Sequence, residues 1–128
     1  MRLEVSHGEL IDKYTILKIK SERITDANKL QFVNTELESL LVPVRYVLHI
    51  DTSVQEQIDQ LYAINQTLWD IENSIREKER KQEFDQEFIN IARSVYHNND
   101  LRAKIKAEIN RKTNSTFAEV KQYSEYPV

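Results

Sequence analysis

The sequence predicts an all-α fold, an antiparallel helical bundle built on a long helical hairpin. Three observations support this prediction. The 128 residues include one glycine and two prolines, which leaves little turn chemistry for a sheet of several strands. Hydrophobic residues make up 40% of the chain, enough for the core of a single domain. Apolar residues recur at helical and heptad spacing along the chain, as on the buried face of a helix.

Capping residues and breaks in the apolar pattern divide the chain into four helices. Ser6 with Glu9 has the spacing of a capping box, which begins a helix. Ser53 with Glu56 repeats this spacing before the third helix. Pro43 is expected to end or bend the second helix, because proline lacks a backbone donor. The predicted helices span about residues 6–24, 26–42, 53–81 and 85–113, followed by a tail over 114–128, all in a single domain.

Two further segments have strand-like patterns. The N-terminal MRLEV alternates, with Leu3 and Val5 on one side, as in a short strand. Such a strand would pair with the C-terminal tail, which contains Phe117 and Val120. The apolar, β-branched stretch 43–52 suits either a strand or an extended link.

The third and fourth helices are expected to form an antiparallel hairpin, because only a short connection separates them. Folding this hairpin about residues 83 and 84 places Asn65 opposite Arg102. The same register places Leu61 opposite Lys106. It also pairs Leu68 with Asn99 and Glu72 with Val95. Both helices therefore carry polar side chains at the same level of faces that the spacing assigns to the core.

Seven polar or charged residues interrupt the apolar faces and are the candidate ligand-binding residues. Two of them, seven positions apart, lie within the apolar arc of the first helix. A buried charge or amide costs several kcal/mol unless it is paired, so these groups require partners. The seven residues are Lys13, Lys20, Asn65, Glu72, Asn99, Arg102 and Lys106.

Two explanations of these residues stay open at this point. In the first, they satisfy one another as a network, within one chain or at a subunit interface, and fix the register of the helices. In the second, the core opens into a pocket where Arg102, Lys106 and a lysine of the first helix meet an anionic ligand. In that pocket Asn65 would orient the ligand together with Asn99, and Glu72 would serve as the acid.

The sequence contains no pattern typical of a catalytic or metal site. The three histidines, His7, His49 and His97, lack HxxxH or HExxH spacing, and no Glu-x-x-His pair suggests a di-iron bundle. Ser94 and Ser115 have no recognisable base beside them. We therefore predict no catalytic residue, no metal and no cofactor.

Charge and hydropathy argue against two other classes of protein. The net charge of −3 argues against a nucleic-acid-binding protein, which usually has a basic excess. No run of eighteen apolar residues and no signal-peptide pattern is present, so a membrane partner is not expected. The absence of cysteine is compatible with a reducing compartment, and a cytoplasmic location is the expectation.

Several longer stretches resemble a known family. They are SHGELIDKYTILKIKSERI, LYAINQTLWDIENSIR, ARSVYHNNDLRAKIKAEIN and EVKQYSEY. They resemble a family of short uncharacterised proteins from bacteria and marine phages, known as a domain of unknown function. The resemblance covers almost the whole chain and implies an α-helical hairpin fold, but it brings no established activity.

The function favoured by the sequence is a non-catalytic helical scaffold or interaction protein that self-associates as a homodimer. The apolar arcs on the first and third helices are wider than a monomer of this length can bury. The alternative is a binder or enzyme for a small anionic metabolite, using Arg102, Lys106 and Glu72. In this alternative the chain is similar, in a loose way, to all-helical chorismate mutases.

Overall fold

The structure is a computed structural model that describes residues 1–127, and it contains four α-helices joined by short links. The helices are α1 (His7–Arg23), α2 (Ala27–Ile50), α3 (Val54–Arg80) and α4 (Gln86–Lys112). The predicted all-α bundle is confirmed. The predicted N-terminal strand and its pairing with the tail are wrong, since residues 1–127 contain no strand. Residues 1–5 are exposed, and the tail follows α4 instead, where Glu119 pairs with Lys106.

Three of the four helices begin at a side-chain cap. Ser6, Asp26 and Asp85 each accept a hydrogen bond from the backbone N–H three residues later. The cap expected at Ser53 does not form, because this residue is already in helical conformation. Its hydroxyl donates instead to Asp51 Oδ1 at 2.7 Å, which tightens the link between α2 and α3.

Helix α2 continues through Pro43 to Ile50, so the expected end at residue 42 is wrong. Neither the strand nor the extended link considered for 43–52 forms over 43–50. Proline at this position leaves one carbonyl of the preceding turn without its helical N–H donor. The residues beyond it are nevertheless held by the core, because Val44 is 5% exposed and Val47 is fully buried. Burial of these side chains outweighs the local cost of the proline.

Helix α1 lies at the centre of the bundle and packs against the other three helices. It runs antiparallel to α4, since Asp12 contacts Arg102 whereas Gly8 contacts Asn110. The buried core lies where α1 and α3 begin and α2 and α4 end. Its members are Ile11, Val44, Val47, Val54, Ile58, Leu61 and Ile109.

Beyond this core the α3–α4 hairpin projects as an arm, defined here as residues 71–101. The ion pair between Arg23 and Asp70 marks its base. Among the described residues, α1 and α2 make no hydrogen bond or ion pair with the arm. No residue of the arm is buried. The arm is therefore held by contacts between its own two helices and, on the α4 side, by Tyr126 of the tail, whose ring lies against Tyr96 and His97.

The tip of the arm is closed by one lysine. Lys78 Nζ lies 3.1 Å from Glu83, 2.9 Å from Asp85 and 3.0 Å from Glu87, and its side chain is 14% exposed. The hydrogen bond with Asp85, followed by that with Glu87, raises the pKa of Lys78. Gln82 turns the chain with a positive φ of 58°. These contacts set the antiparallel register that the short connection predicts.

Candidate functional site

The centre of the candidate site is a buried carboxylate on α1. Asp12 is 1% exposed and accepts hydrogen bonds from two other helices. Arg102 of α4 donates from Nε to Oδ1 at 2.9 Å and from its terminal nitrogen to Oδ2 at 2.5 Å. Asn65 of α3 donates from Nδ2 to Oδ1 at 2.9 Å. One carboxylate therefore joins three helices.

The amide of Asn65 also ties Thr15 into this arrangement. Its Nδ2 lies 2.9 Å from Thr15 Oγ1, and the threonine hydroxyl donates to the carbonyl oxygen of Asp12 at 2.8 Å. Both Asn65 and Thr15 are buried. Within the described part of the chain, no buried side-chain nitrogen or oxygen lacks a hydrogen-bond partner. The polar groups thus satisfy one another, as a stable buried network requires.

Lys106 adds a second cation next to Asp12. Its Nζ lies 2.7 Å from Glu9, 3.0 Å from Glu119 and 3.9 Å from Asp12. Burial opposes the charged ammonium, but the hydrogen bonds with the two glutamates outweigh it, and the pKa of Lys106 is raised. The hydrogen bond with Asp12 likewise raises the pKa of Arg102. Both cations are neutralised by carboxylates of the same chain.

Close approach of α1 to α4 depends on the single glycine. Gly8 donates its backbone N–H to Asn110 Oδ1 at 2.7 Å. A Cβ at this position would lie 2.5 Å from the carbonyl oxygen of Lys106, closer than real Cβ contacts. Only a residue without a side chain lets the two helices cross here, which in turn brings Glu9 and Asp12 within reach of the α4 cations.

The beginning of α1 is also tied to the residues after α4. His7 donates its backbone N–H to Ser115 Oγ at 3.1 Å, and its ring Nδ1 lies 2.7 Å from Thr113 Oγ1. The Thr113 hydroxyl is 2.7 Å from the carbonyl oxygen of Ile109. The histidine expected to bind no metal is therefore a hydrogen-bonding residue at this end of the bundle.

Three of the seven candidate residues meet at one place. Asn65 and Arg102 lie at one level of the hairpin, as predicted, and both bond the same oxygen of Asp12. Lys106 lies one turn farther along α4 and joins them through Asp12 and Glu9. We refer to Glu9, Asp12, Thr15, Asn65, Arg102, Lys106 and Glu119 as the interhelical network.

The other four candidate residues lie outside the interhelical network. Lys13 points toward α2, where it pairs with Glu36 at 2.6 Å, because it is turned about 100° from Asp12 around the helix. Glu72 is on the arm, beyond the reach of α1, and pairs with Arg76 in solvent. The remaining two are half-buried and make no hydrogen bond to the network among the described residues; they are Lys20 and Asn99.

The sequence analysis identified the two cationic side chains of the network, Arg102 and Lys106, together with Asn65. It did not assign the three carboxylates to the site; they are Glu9, Asp12 and Glu119. A spacing pattern in α1 could have revealed Asp12. One face of this helix carries three residues spaced by four and three positions: Gly8, Asp12 and Thr15. That face also carries Ile11 and is buried. A carboxylate between a glycine and a threonine on an apolar face predicts a buried acid that requires a cationic partner.

A second feature of the site is a groove between α4 and the C-terminal tail, with a volume of about 580 Å³. It begins beside Lys106 of the interhelical network. Small side chains, including Ala103 and Ala107, leave it open. Its polar lining consists mainly of Lys104, Lys106, Asn110, Arg111, Glu119 and Lys121. Basic groups thus outnumber acidic ones in this groove.

Residues 1–127 contain neither a metal-binding cluster nor a membrane-spanning helix. No group of three or more histidine or acidic side chains is arranged to hold a metal ion. None of the described helices combines the length and the apolar character needed to cross a membrane.

Fold and site together define the class of the protein: an all-α bundle whose helices are joined by an internal network of charged and amide side chains. The chain belongs to a family of unknown function, DUF6165, whose model matches residues 1–128. This membership confirms the resemblance to an uncharacterised domain family. No curated protein matches the chain, and no solved structure matches it.

Proposed function

We propose that this protein is a non-catalytic helical scaffold that self-associates, with the arm of one copy packing against the arm of a second copy. The observation that carries the proposal is the absence of any buried residue in the arm, residues 71–101. The cytoplasmic location and the bacterial or phage origin expected from the sequence belong to the same proposal, and they rest on composition and resemblance.

The arm offers more apolar surface than two helices can bury. Half-buried apolar side chains, including Ile75 and Val95, follow the seam between α3 and α4. Next to this seam on α4, Ile89 is 46% exposed and Tyr96 is 55% exposed, and they lie seven residues apart on one helix face. Two antiparallel helices cover only one stripe of each other, whereas four helices enclose a core.

A second copy is the partner that best fits this surface. Two identical arms related by a two-fold axis present the same apolar stripe to each other, and such symmetric dimers are the commonest assemblies of soluble proteins. Four helices would then enclose Ile75, Val95 and their equivalents, as in a four-helix bundle. The expected interface is apolar at its centre and charged toward the tip, where Lys78 is surrounded by carboxylates.

The interhelical network supports a structural role for the polar residues. Asp12 occupies one of the two edges through which the Arg102 guanidinium can hold a carboxylate, the edge formed by Nε and a terminal nitrogen. Glu72, the acid of the alternative anion-binding function, lies on the arm and pairs with Arg76. These two observations favour a network that positions helices over a pocket built on Arg102, Lys106 and Glu72.

Sedimentation velocity on the full chain at micromolar concentration tests the proposal. We expect a species of twice the chain mass of 15.2 kDa. Ile89→Glu should convert it to a species of one chain mass, because a charge in an apolar interface is costly to bury. Asn90→Glu is the matched control, since Asn90 is an exposed neighbour that points about 100° away.

Both variants must keep the helical circular dichroism of the parent chain, so that a change in mass reports association and not unfolding. A dimer that survives Asn90→Glu but not Ile89→Glu supports arm-to-arm association. A parent chain that sediments as a monomer at micromolar concentration contradicts it. A dimer that is unchanged by Ile89→Glu places the interface elsewhere and also contradicts it.

A further inference from the structure

We propose that the groove between α4 and the tail binds a small polycarboxylate, and that Glu119 is the internal carboxylate which this ligand displaces. This site is separate from the arm. It uses Lys106, but neither Arg102 nor Glu72.

The charge of the groove favours an anion. Four basic side chains line it, Lys104, Lys106, Arg111 and Lys121, and Glu119 is the one lining carboxylate; Glu9, outside the lining, also pairs with Lys106. The chain as a whole carries a net charge of −3, so this concentration of cations is local. Among the described residues, Lys104 has no carboxylate within ion-pairing distance, whereas Arg111 pairs with Glu108. A cation without a partner at the edge of a groove is available to a ligand.

Glu119 indicates where a carboxylate fits. Its Oε2 lies 3.0 Å from Lys106 Nζ, and its Oε1 lies 3.5 Å from Lys121 Nζ. The hydrogen bond with Lys106 holds the pKa of Glu119 below its usual value, so this group is ionised near neutral pH. The tail that carries it contains no helix or strand as far as residue 127. A free carboxylate therefore competes with a group that no regular secondary structure fixes in place.

Asn110 adds a donor at the groove. It is 8% exposed, and its Oδ1 is committed to the backbone N–H of Gly8. Its Nδ2 makes no hydrogen bond within the described chain, although the residue lines the groove. Because the Gly8 contact fixes the orientation of the amide, its NH₂ group is a preset donor for an oxygen acceptor.

The size and the shape of the groove favour a small ligand with several carboxylates. Small residues line the space between the basic ones, including Ala103, Ala107 and Ala118. One ligand carboxylate takes the place of Glu119 at Lys106, while a second meets Lys104. A monocarboxylate reaches only one of these positions and gains less from the groove.

Calorimetric titration of the full chain with citrate tests the site, at low ionic strength held constant with sodium chloride. We expect Glu119→Gln to bind citrate about tenfold more tightly than the parent chain, because the internal competitor is uncharged. Glu125→Gln is the matched control, as Glu125 is an exposed carboxylate of the same tail. We expect this control to bind like the parent chain, and Lys104→Ala to bind about tenfold more weakly.

Each contrary result is informative. Absence of citrate binding in both the parent chain and Glu119→Gln overturns the site. Equal affinity of Glu119→Gln and Glu125→Gln overturns the role of Glu119 as a displaced carboxylate. Binding of inorganic phosphate or acetate as tight as that of citrate overturns the assignment to polycarboxylates. Because Ile89→Glu lies on the arm and leaves the groove intact, titrating that variant separates a failure of this site from a failure of self-association.

Discussion

Arg102 and Asp12 form a two-point ion pair that joins α4 to the central helix. The guanidinium meets both carboxylate oxygens, and the carboxylate is 1% exposed whereas the side chain of Arg102 is 29% exposed. Asn65 donates to the same carboxylate from the third helix. The relative positions of α1, α3 and α4 are therefore specified by one acid, and a shift of any of these helices by a turn would leave the buried carboxylate without one of its hydrogen-bond donors.

Removal of the Asp12 charge is expected to destabilise the fold strongly. Asp12→Asn leaves Arg102 without its anion in a partly buried position, a change that typically costs about 3 to 5 kcal/mol of unfolding free energy. Asp59→Asn is the control, because Asp59 is exposed and, within residues 1–127, its side chain accepts one hydrogen bond, from Gln55. Urea unfolding followed by circular dichroism measures both. Equal losses in the two variants would refute the structural role of Asp12.

The glycine on α1 leads to a second prediction. Gly8→Ala should lower the unfolding free energy by about 1 to 3 kcal/mol, because the new methyl group overlaps the carbonyl oxygen of Lys106. In an open helix the same change would be favourable. Ala63→Gly on the exposed side of α3 measures the helix preference for alanine over glycine in this chain. It should lower the unfolding free energy by about 1 kcal/mol. Stabilisation by Gly8→Ala would show that the helices can separate without loss.

Acid sensitivity should depend in part on Glu119. Its pKa is held below the ordinary value of 4.5 by the hydrogen bond with Lys106, so the folded chain binds this proton more weakly than the unfolded chain. The stability that it contributes is present above its ordinary pKa and is lost as the pH falls through the lower pKa of the folded state. Urea unfolding over a pH series should show Glu119→Gln less stable than the parent chain at neutral pH.

This difference should shrink as the pH falls below the ordinary pKa of 4.5 and through the lower pKa of the folded chain, because the parent carboxylate then becomes protonated as well. Glu125→Gln serves as the control and should follow the parent chain throughout. A difference between Glu119→Gln and the parent chain that stays constant with pH would mean that the glutamate acts through packing rather than charge.

Replacement of Pro43 is expected to stabilise the fold, in contrast to the substitutions of Asp12, Gly8 and Glu119. Pro43→Ala restores a helical N–H in the middle of α2 and should raise the unfolding free energy by about 1 to 2 kcal/mol, after allowance for the freer unfolded chain. Pro127→Ala in the exposed tail should change stability little. Thermal unfolding of both variants measures the difference. A lower melting temperature for Pro43→Ala would show that the proline ring makes a packing contact that alanine cannot replace.

Local sequence signals were sufficient for the hairpin and the helix count. Capping at Ser6 and the short link after α3 depend on a few adjacent residues, which is why they could be predicted. The course of α2 beyond Pro43 could not, because it depends on burial of Val44 and Val47 against other helices. A proline is a strong local signal, but tertiary packing decided this case.

The candidate site was predicted only in part for a similar reason. Asn65 and Arg102 interrupt regular apolar faces, so periodicity revealed them and the short link gave their common level. Asp12 lies on a helix with many polar residues, and only its alignment with Gly8 and Thr15 distinguishes it from solvent-facing acids. The position of Glu119 depends on how the tail folds back along α4, and no pattern within the tail itself specifies that path.

The hydrogen bonds from His7 to Ser115 and Thr113 join the two ends of the helical segment. Fraying of α1 from its first turn therefore requires release of the last turn of α4 as well, although the two are far apart in sequence. The backbone amides of both turns are expected to open as one cooperative unit and to exchange their hydrogens together. The tip of the arm lies at the opposite end of the hairpin and is expected to open separately from these turns.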